Sequence, residues 1–234
     1  MSLMADFNTH IFVATAVGAV YATVATKGLQ LQAGPSLLLA AMTAIGGVLP
    51  DIDLKESTPS KTLFLALGAL LALLAMLHYA AAFSVLELLV IGALIFVAVR
   101  YLLWALFHQF TVHRGSLHSL AASAMFGTGA VALSYRVWGM DANTSWLAGV
   151  GVCIGCLTHL TLDEIYSVDF TGVRVKRSFG SALKIVDTVR WPGSVAVIVV
   201  TIVSLWATPS AGPLLETLQT IDPDWKHWLL SLNF

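Results

Sequence analysis

Charge is what this chain has least of. Only 11% of its 234 residues are Asp, Glu, Lys or Arg, against about a quarter in a soluble domain; 58% are hydrophobic, and the mean hydropathy is +0.84. So little polar surface cannot coat a water-exposed globule, so the composition predicts bilayer as the solvent. The formal net charge is −1 and no basic arm is visible, which argues against a nucleic-acid partner. Cysteine is nearly missing as well. Cys153 and Cys156 form a C-x-x-C inside an apolar run. A zinc site of that kind needs a second pair or nearby histidines. His159 lies three residues beyond Cys156, which leaves a metal role open beside the simpler reading of two small residues packed in a helix. Met1 to Asn8 lack the positive n-region of a cleavable signal peptide, so the first apolar segment is expected to be retained as a span. No internal repeat is evident.

What is present is apolar sequence in blocks. Seven segments stand out, at roughly 11–26, 36–50, 62–82, 84–107, 117–138, 145–166 and 192–208. Several reach the ~20 residues that cross a hydrocarbon core, while the first, second and seventh are short enough to be tilted, partly buried or re-entrant. Gly34-Pro35, Pro50-Asp51-Ile52-Asp53, Thr58-Pro59-Ser60, Gly115-Ser116 and Trp191-Pro192 punctuate them. The expected fold is all-α: a polytopic transmembrane helical bundle of about five to seven membrane segments, a single integral membrane domain over 1–234. Gly151 and Gly155, four apart, predict close helix packing.

A basic interfacial loop is expected over 167–191. It carries Arg174, Lys176, Arg177, Lys184 and Arg190 against Asp169 and Asp187. Alternation in Val173-Arg174-Val175-Lys176 predicts a short strand, followed by an amphipathic piece around Ser181 to Val186. Such a loop either rests on anionic headgroups or simply sets topology. If all seven segments cross, the face shared with the N-terminus holds those five plus Lys55, Lys61, Arg100 and Arg114, and the other face only Lys27, Arg136 and Lys226. That excess predicts a cytoplasmic N-terminus.

Ionisable residues at the edges of apolar spans are expensive and usually functional. His10 opens the first segment, and Asp51 and Asp53 close the second. His113 and His118 open the fifth, and His159 and Asp163 close the sixth. With seven crossings, all four groups share one face. His159 and Asp163, at i and i+4 on a helix, can reach a common ion. On an unbroken helix His113 and His118 would point about 140° apart. Gly115 is therefore expected to break it, with Ser116 as the helix cap and His118 in the first turn. Asp51 and Asp53 project to one side if the chain after Pro50 is extended. Imidazole and carboxylate together suit zinc, manganese or iron better than calcium or magnesium alone, and seven candidate ligands leave room for two or more ions. Each residue also has a duller alternative: His10 as an interfacial edge residue, Asp51 or Asp53 as a cap, His159 with Asp163 as a hydrogen-bonded pair. Arg114 can pair with a carboxylate or bind a substrate phosphate. Glu164 is a further candidate base and His108 a reserve ligand, while His78 and His227 read as interfacial.

The sequence resembles the YdjM-like family, inner-membrane proteins described as LexA-regulated, membrane-bound, metal-dependent hydrolases. The resemblance is carried by Asn8-Thr9-His10, Gly47 through Asp53, His113-Arg114-Gly115 with His118-Ser119, and His159 to Asp163, over about residues 8–170. A more distant similarity is to zinc-dependent phospholipases C and related single-strand nucleases. These all-helical enzymes use an early His, an Asp about forty residues on, and His-x-x-x-Asp/Glu pairs; His10 to Asp51 has this spacing, whereas His113 to His118 departs from it.

Together these readings predict a metal-dependent hydrolase in the bacterial inner membrane, with its site at the cytoplasmic interface. A lipid phosphoester is the expected substrate, because a headgroup can reach such a depth laterally. His10, Asp51, His113, His118, His159 and Asp163 are expected to bind a divalent metal such as zinc. Asp53 would be a ligand or general base, Asp163 a ligand with a catalytic role, and Arg114 a phosphate clamp. Two rivals compete: a metal transporter, which would need ionisable residues opposite as well, and a non-catalytic scaffold with a structural metal.

Overall fold

Helices form where the apolar blocks lie, and polar residues start several of them. The computed structural model describes residues 7–111, 114–169, 174–175, 180 and 182–219. Helix α1 spans Phe7–Leu29 and α2 spans Ala33–Gly46, followed by a 3-10 turn at Pro50–Asp53. Helix α3 (Thr58–His78) starts at Ser57, whose hydroxyl accepts from the Ser60 amide. Helix α4 (Val85–Val97) starts at a capping box of Ser84 and Glu87, and continues through a π-helical stretch at Ala98–Leu103 into α5 (Trp104–Phe110). Helices α6 (Leu120–Arg136) and α7 (Ala142–Ile165) are capped by Ser119 and Asp141. Such caps satisfy orphan backbone amides and contribute about 1 kcal/mol each. Helix α8 (Trp191–Ala207) and the short α9 (Gly212–Gln219) end the described chain. Outside the helices, β1 (Val168–Asp169) pairs antiparallel with β2 (Arg174–Val175), which matches the strand expected there; Lys176 and Arg177 lie outside the described residues.

The chain is a helical membrane bundle. Four helical stretches are long and apolar enough to cross: Phe7–Leu29, Thr58–His78, Val85–Gln109 and Ala142–Ile165; α8 with α9, bent by 79°, is a fifth if the pair is one span. Helix α2 has 14 residues and rises about 21 Å, short of a ~30 Å core. Helix α6, at 17 residues, is not among these candidates either, so the described residues offer four or five spans, at the lower end of the five to seven expected.

The site depends on how α7 packs. It lies against α1, α2 and α6, with Leu39, Val152, Cys156 and Leu160 in the buried core between them. Alanine at Gly155 would drive its Cβ into the Thr43 carbonyl oxygen and to 2.7 Å from the Gly47 amide nitrogen. Only hydrogen fits there, as the small-residue spacing predicts. Cys156 is fully buried in this core and Cys153 donates to the Ser123 carbonyl at 3.2 Å, so the C-x-x-C is packing. Helices α3, α4 and α5 form a separate arm that meets the 3-10 turn through α3.

A candidate metal centre at the ends of four helices

The first turn of α1 supplies His10, the 3-10 turn Asp51 and Asp53, the residues before α6 His118, and the last turns of α7 His159 and Asp163. Among the described residues these side chains converge. Nε2 of His10 lies 3.5 Å from Oδ1 of Asp163, and its ring stacks on His159 with centroids 3.8 Å apart. Nε2 of His118 lies 3.8 Å from Oδ1 of Asp51 and 3.6 Å from Oδ2 of Asp163. Nε2 of His159 lies 3.5 Å from Oδ1 of Asp51 and 3.9 Å from Oδ2 of Asp163.

These separations test the fit to a metal. All five exceed the 2.7–3.2 Å of a good N–H···O hydrogen bond. Two ligands each about 2.0–2.1 Å from one ion can be no more than about 4.2 Å apart, and every pair meets that limit. His10, Asp51 and His159 form one group with ligand atoms within 4.8 Å of one another, and His118, His159 and Asp163 form another. Nε2 of His159 and Oδ2 of Asp163 are buried and make no hydrogen bond among the described residues. Leaving such atoms unsatisfied costs several kcal/mol unless a cation or water meets them. The residues fit a divalent ion.

The atoms facing away from the centre are also occupied. Nδ1 of His118 lies 3.1 Å from Oδ2 of Asp53, and Nδ1 of His159 lies 2.8 Å from the Gly47 carbonyl oxygen. Both imidazoles therefore present Nε2 inward while the other nitrogen is held by an acceptor, the usual arrangement behind metal-bound histidine. Burial alone would raise the pKa of Asp51, but the facing His159 imidazole, with His118 and His10 beyond it, outweighs that and holds the carboxyl below its ordinary range. It is thus ionised, as a ligand must be.

Three sequence expectations change here. Asp51 and Asp53 do not project to one side, because the turn is 3-10 rather than extended and its 3.0 residues per turn swing the second carboxylate away. Asp51 faces the imidazoles and Asp53 stands behind His118, outside both metal-capable groups. Ser119, not Ser116, caps α6: its hydroxyl accepts from the Ala122 amide at 3.1 Å, so His118 precedes the helix in a turn closed by its amide on the Gly115 carbonyl. Glu164 turns away, accepting from the amides of Gly180 and Ala182. His113 lies outside the described residues, as does His227. His108 meets the Ser60 hydroxyl at 2.8 Å and joins neither metal-capable group. His78, at the end of α3, packs edge-on against Tyr79.

Arg114 has a positive φ of 58°, a strained backbone for a side-chain-bearing residue. Its guanidinium lies 3.3 Å from the Asp163 carbonyl oxygen and 3.6 Å from Oδ1 of that residue. Lys184 holds the Arg114 carbonyl at 2.7 Å. Neither Lys184 nor the Gly47 carbonyl stood out in the sequence as part of the centre: a backbone acceptor leaves no side-chain signature, and Lys184 is distant in the chain. The paired glycines at 46 and 47 were the readable hint of a tight approach. Side-chain exposure is 16% for Asp51 and 13% for Arg114, against 5% or less for His10, His118, His159 and Asp163, so the centre opens between Asp51 and Arg114.

The sequence model of one family, described as YdjM inner membrane protein, matches residues 4–221, nearly the whole chain. The chain belongs to that family. The match extends well past residue 170, so the loop and α8 are part of the YdjM pattern, beyond the residues that carried the resemblance. The metal-capable cluster of this YdjM protein is drawn from four separate elements within the match. No curated protein and no solved structure matches it, so the likeness to zinc-dependent phospholipases C rests on spacing alone.

Proposed function

We propose that this protein is a membrane-bound, metal-dependent hydrolase acting on a phosphoester, with a lipid as the substrate. The observation that carries this reading is the set of imidazole and carboxylate atoms spaced for chelation rather than for hydrogen bonding, and opening beside one guanidinium. His10, Asp51, His118, His159 and Asp163 would hold the ion. Zinc suits this donor set, with manganese or iron as alternatives, and the two overlapping groups leave room for a second ion. A divalent ion there supplies water activation near neutral pH and positive charge for the phosphoryl oxygens.

The chain's own residues do the rest. Arg114, at the opening, orients a phosphate by charge-assisted hydrogen bonds and adds fixed positive charge. Asp163 touches both Arg114 and the imidazoles, and so links substrate position to the centre. Asp53 fixes the His118 ring. The start of α1, the 3-10 turn after α2 and the end of α7 meet at one end of the bundle, which supports a site at the membrane interface, within reach of headgroups.

Metal analysis of the purified protein, followed by turnover on a panel of phospholipids, tests the proposal. The wild type is expected to hold a transition metal in stoichiometric amount and to release phosphate or a phosphorylated headgroup, while Asp163→Ala and His159→Ala lose both. A wild type with no bound transition metal would falsify it. Metal without turnover on any phosphoester would point to a structural ion instead.

A further inference from the structure

The stretch that leads into α8, residues 182–190, is built inside out for a water-facing loop. Over these residues the chain is irregular, yet it turns Lys184 and Asp187 inward and leaves Leu183, Ile185 and Val189 outward. Lys184 points in, donating to the Arg114 carbonyl at 2.7 Å and pairing with Asp187 at 3.2 Å. Asp187 is buried. Ile185, Val189 and Trp191, in contrast, are 73%, 87% and 66% exposed. A loop against water distributes these groups the other way.

The backbone of the segment is also provided for. The carbonyls of Lys184 and Ile185 accept the Leu120 and Ala121 amides at 2.9 and 3.1 Å, in the first turn of α6. The Asp187 amide donates to the Ser194 hydroxyl, which donates back to the Asp187 carbonyl. Oδ1 of Asp187 accepts the amides of Val189 and Arg190. Non-helical backbone at membrane depth is tolerated where protein groups satisfy it in this way. The outward residues lead into α8, which begins at Trp191 and is itself apolar. Tryptophan is favoured at the membrane–water boundary, and exposed Arg190 beside it complements anionic headgroups.

We infer that residues 183–191 form a strap that inserts Ile185, Val189 and Trp191 into the headgroup and upper acyl region of the bilayer. Its occupant is lipid. The inner side of the strap is bonded to Arg114 and to the turn of α6 that follows His118, so insertion fixes the metal centre at headgroup depth, with Arg114 beside the strap and open to a lipid entering from the side. The insertion stands whether or not the centre hydrolyses anything; only the lateral route to Arg114 rests on the hydrolase reading.

The test is a depth measurement on the full chain, reconstituted in vesicles of phosphatidylcholine and phosphatidylglycerol. Nitroxide labels are placed singly by Ile185→Cys and Val189→Cys in a Cys153→Ala, Cys156→Ala background. Leu70→Cys on exposed α3 is the lipid reference and Glu56→Cys the water reference. Labels at 185 and 189 are expected to collide more with oxygen than with a water-soluble nickel complex, as the label at 70 does. Collisions like those at position 56 overturn the inference. Shielding from both agents also overturns it, because it means that protein rather than lipid covers the strap. Should the cysteine-free chain fail to fold, quenching by brominated phospholipids in the native-cysteine protein decides the matter: wild type is expected to lose more emission than Trp191→Phe, and equal loss overturns the inference. None of these readouts uses turnover, so a failed hydrolase reading leaves them intact.

Discussion

Asp53 holds His118 from behind, its Oδ2 lying 3.1 Å from Nδ1 with both side chains fully buried. A carboxylate can only accept, so Nδ1 carries the proton and the Nε2 lone pair is turned toward Asp51 and Asp163.

Replacing Asp53 should therefore weaken metal binding without removing a metal ligand. Asp53→Asn is expected to lower affinity by about 10–100-fold, the range for groups that orient a metal-bound histidine. Competition with a chromophoric chelator measures it. Unchanged affinity would mean that Asp53 does not act through His118.

Arg114→Lys should separate substrate positioning from metal binding. A lysine keeps the charge but loses the planar fork. Metal content is expected to stay at the wild-type level while kcat/KM on a phosphoester falls roughly tenfold or more, the loss expected for a charge-assisted contact. An equal fall in metal content would place Arg114 in support of Asp163 instead.

Gly155→Ala should loosen α7 from α2. The added Cβ meets backbone atoms of Thr43, Gly46 and Gly47, which cannot rotate away. A cost of about 1–3 kcal/mol is expected, together with weaker metal binding, because the Gly47 carbonyl that steadies His159 moves with α2. Gly34→Ala, whose Cβ would meet nothing within 4 Å, is the control. Thermal unfolding in detergent, with and without added metal, reads both effects.

Asp187 predicts a pH dependence in the strap. Burial would raise its pKa, but the Arg190 amide, the Lys184 ammonium and the Val189 amide prevail and hold it below the ordinary carboxylate range. A depressed folded-state pKa stabilises the fold fully above the unfolded pKa, and that contribution is lost as pH falls through the folded value. Melting temperature should therefore drop on acidification through the carboxylate range, and drop less in Asp187→Asn. Identical acid profiles for the two proteins would remove Asp187 as a contributor.

Much of the centre was legible because helical spacing is local. His159 and Asp163 had to share a face once the segment was helical, and their Nε2 and Oδ2 atoms do lie 3.9 Å apart. His10, at the start of an apolar run, and Asp51, at the end of one, were readable as costly polar groups at span edges. The difference between Asp51 and Asp53 was not readable. It depends on whether the chain after Pro50 is extended or 3-10, and neighbouring packing decides that. The cap of α6 was misplaced for a similar reason: Ser116 and Ser119 are both good caps by type, and the turn at Gly115 selects the second.

By itself, the sequence determined the solvent, the helices and the donor types. Low charge, long apolar runs and the i, i+4 pair are properties of short stretches and need no partner to be expressed. Tertiary structure alone decided which donors face one another, because that depends on helices approaching at Gly46, Gly47 and Gly155 and on a strap more than sixty residues beyond His118 closing over its turn. Distances between remote elements are set by packing surfaces made of many residues at once, and no local pattern encodes them.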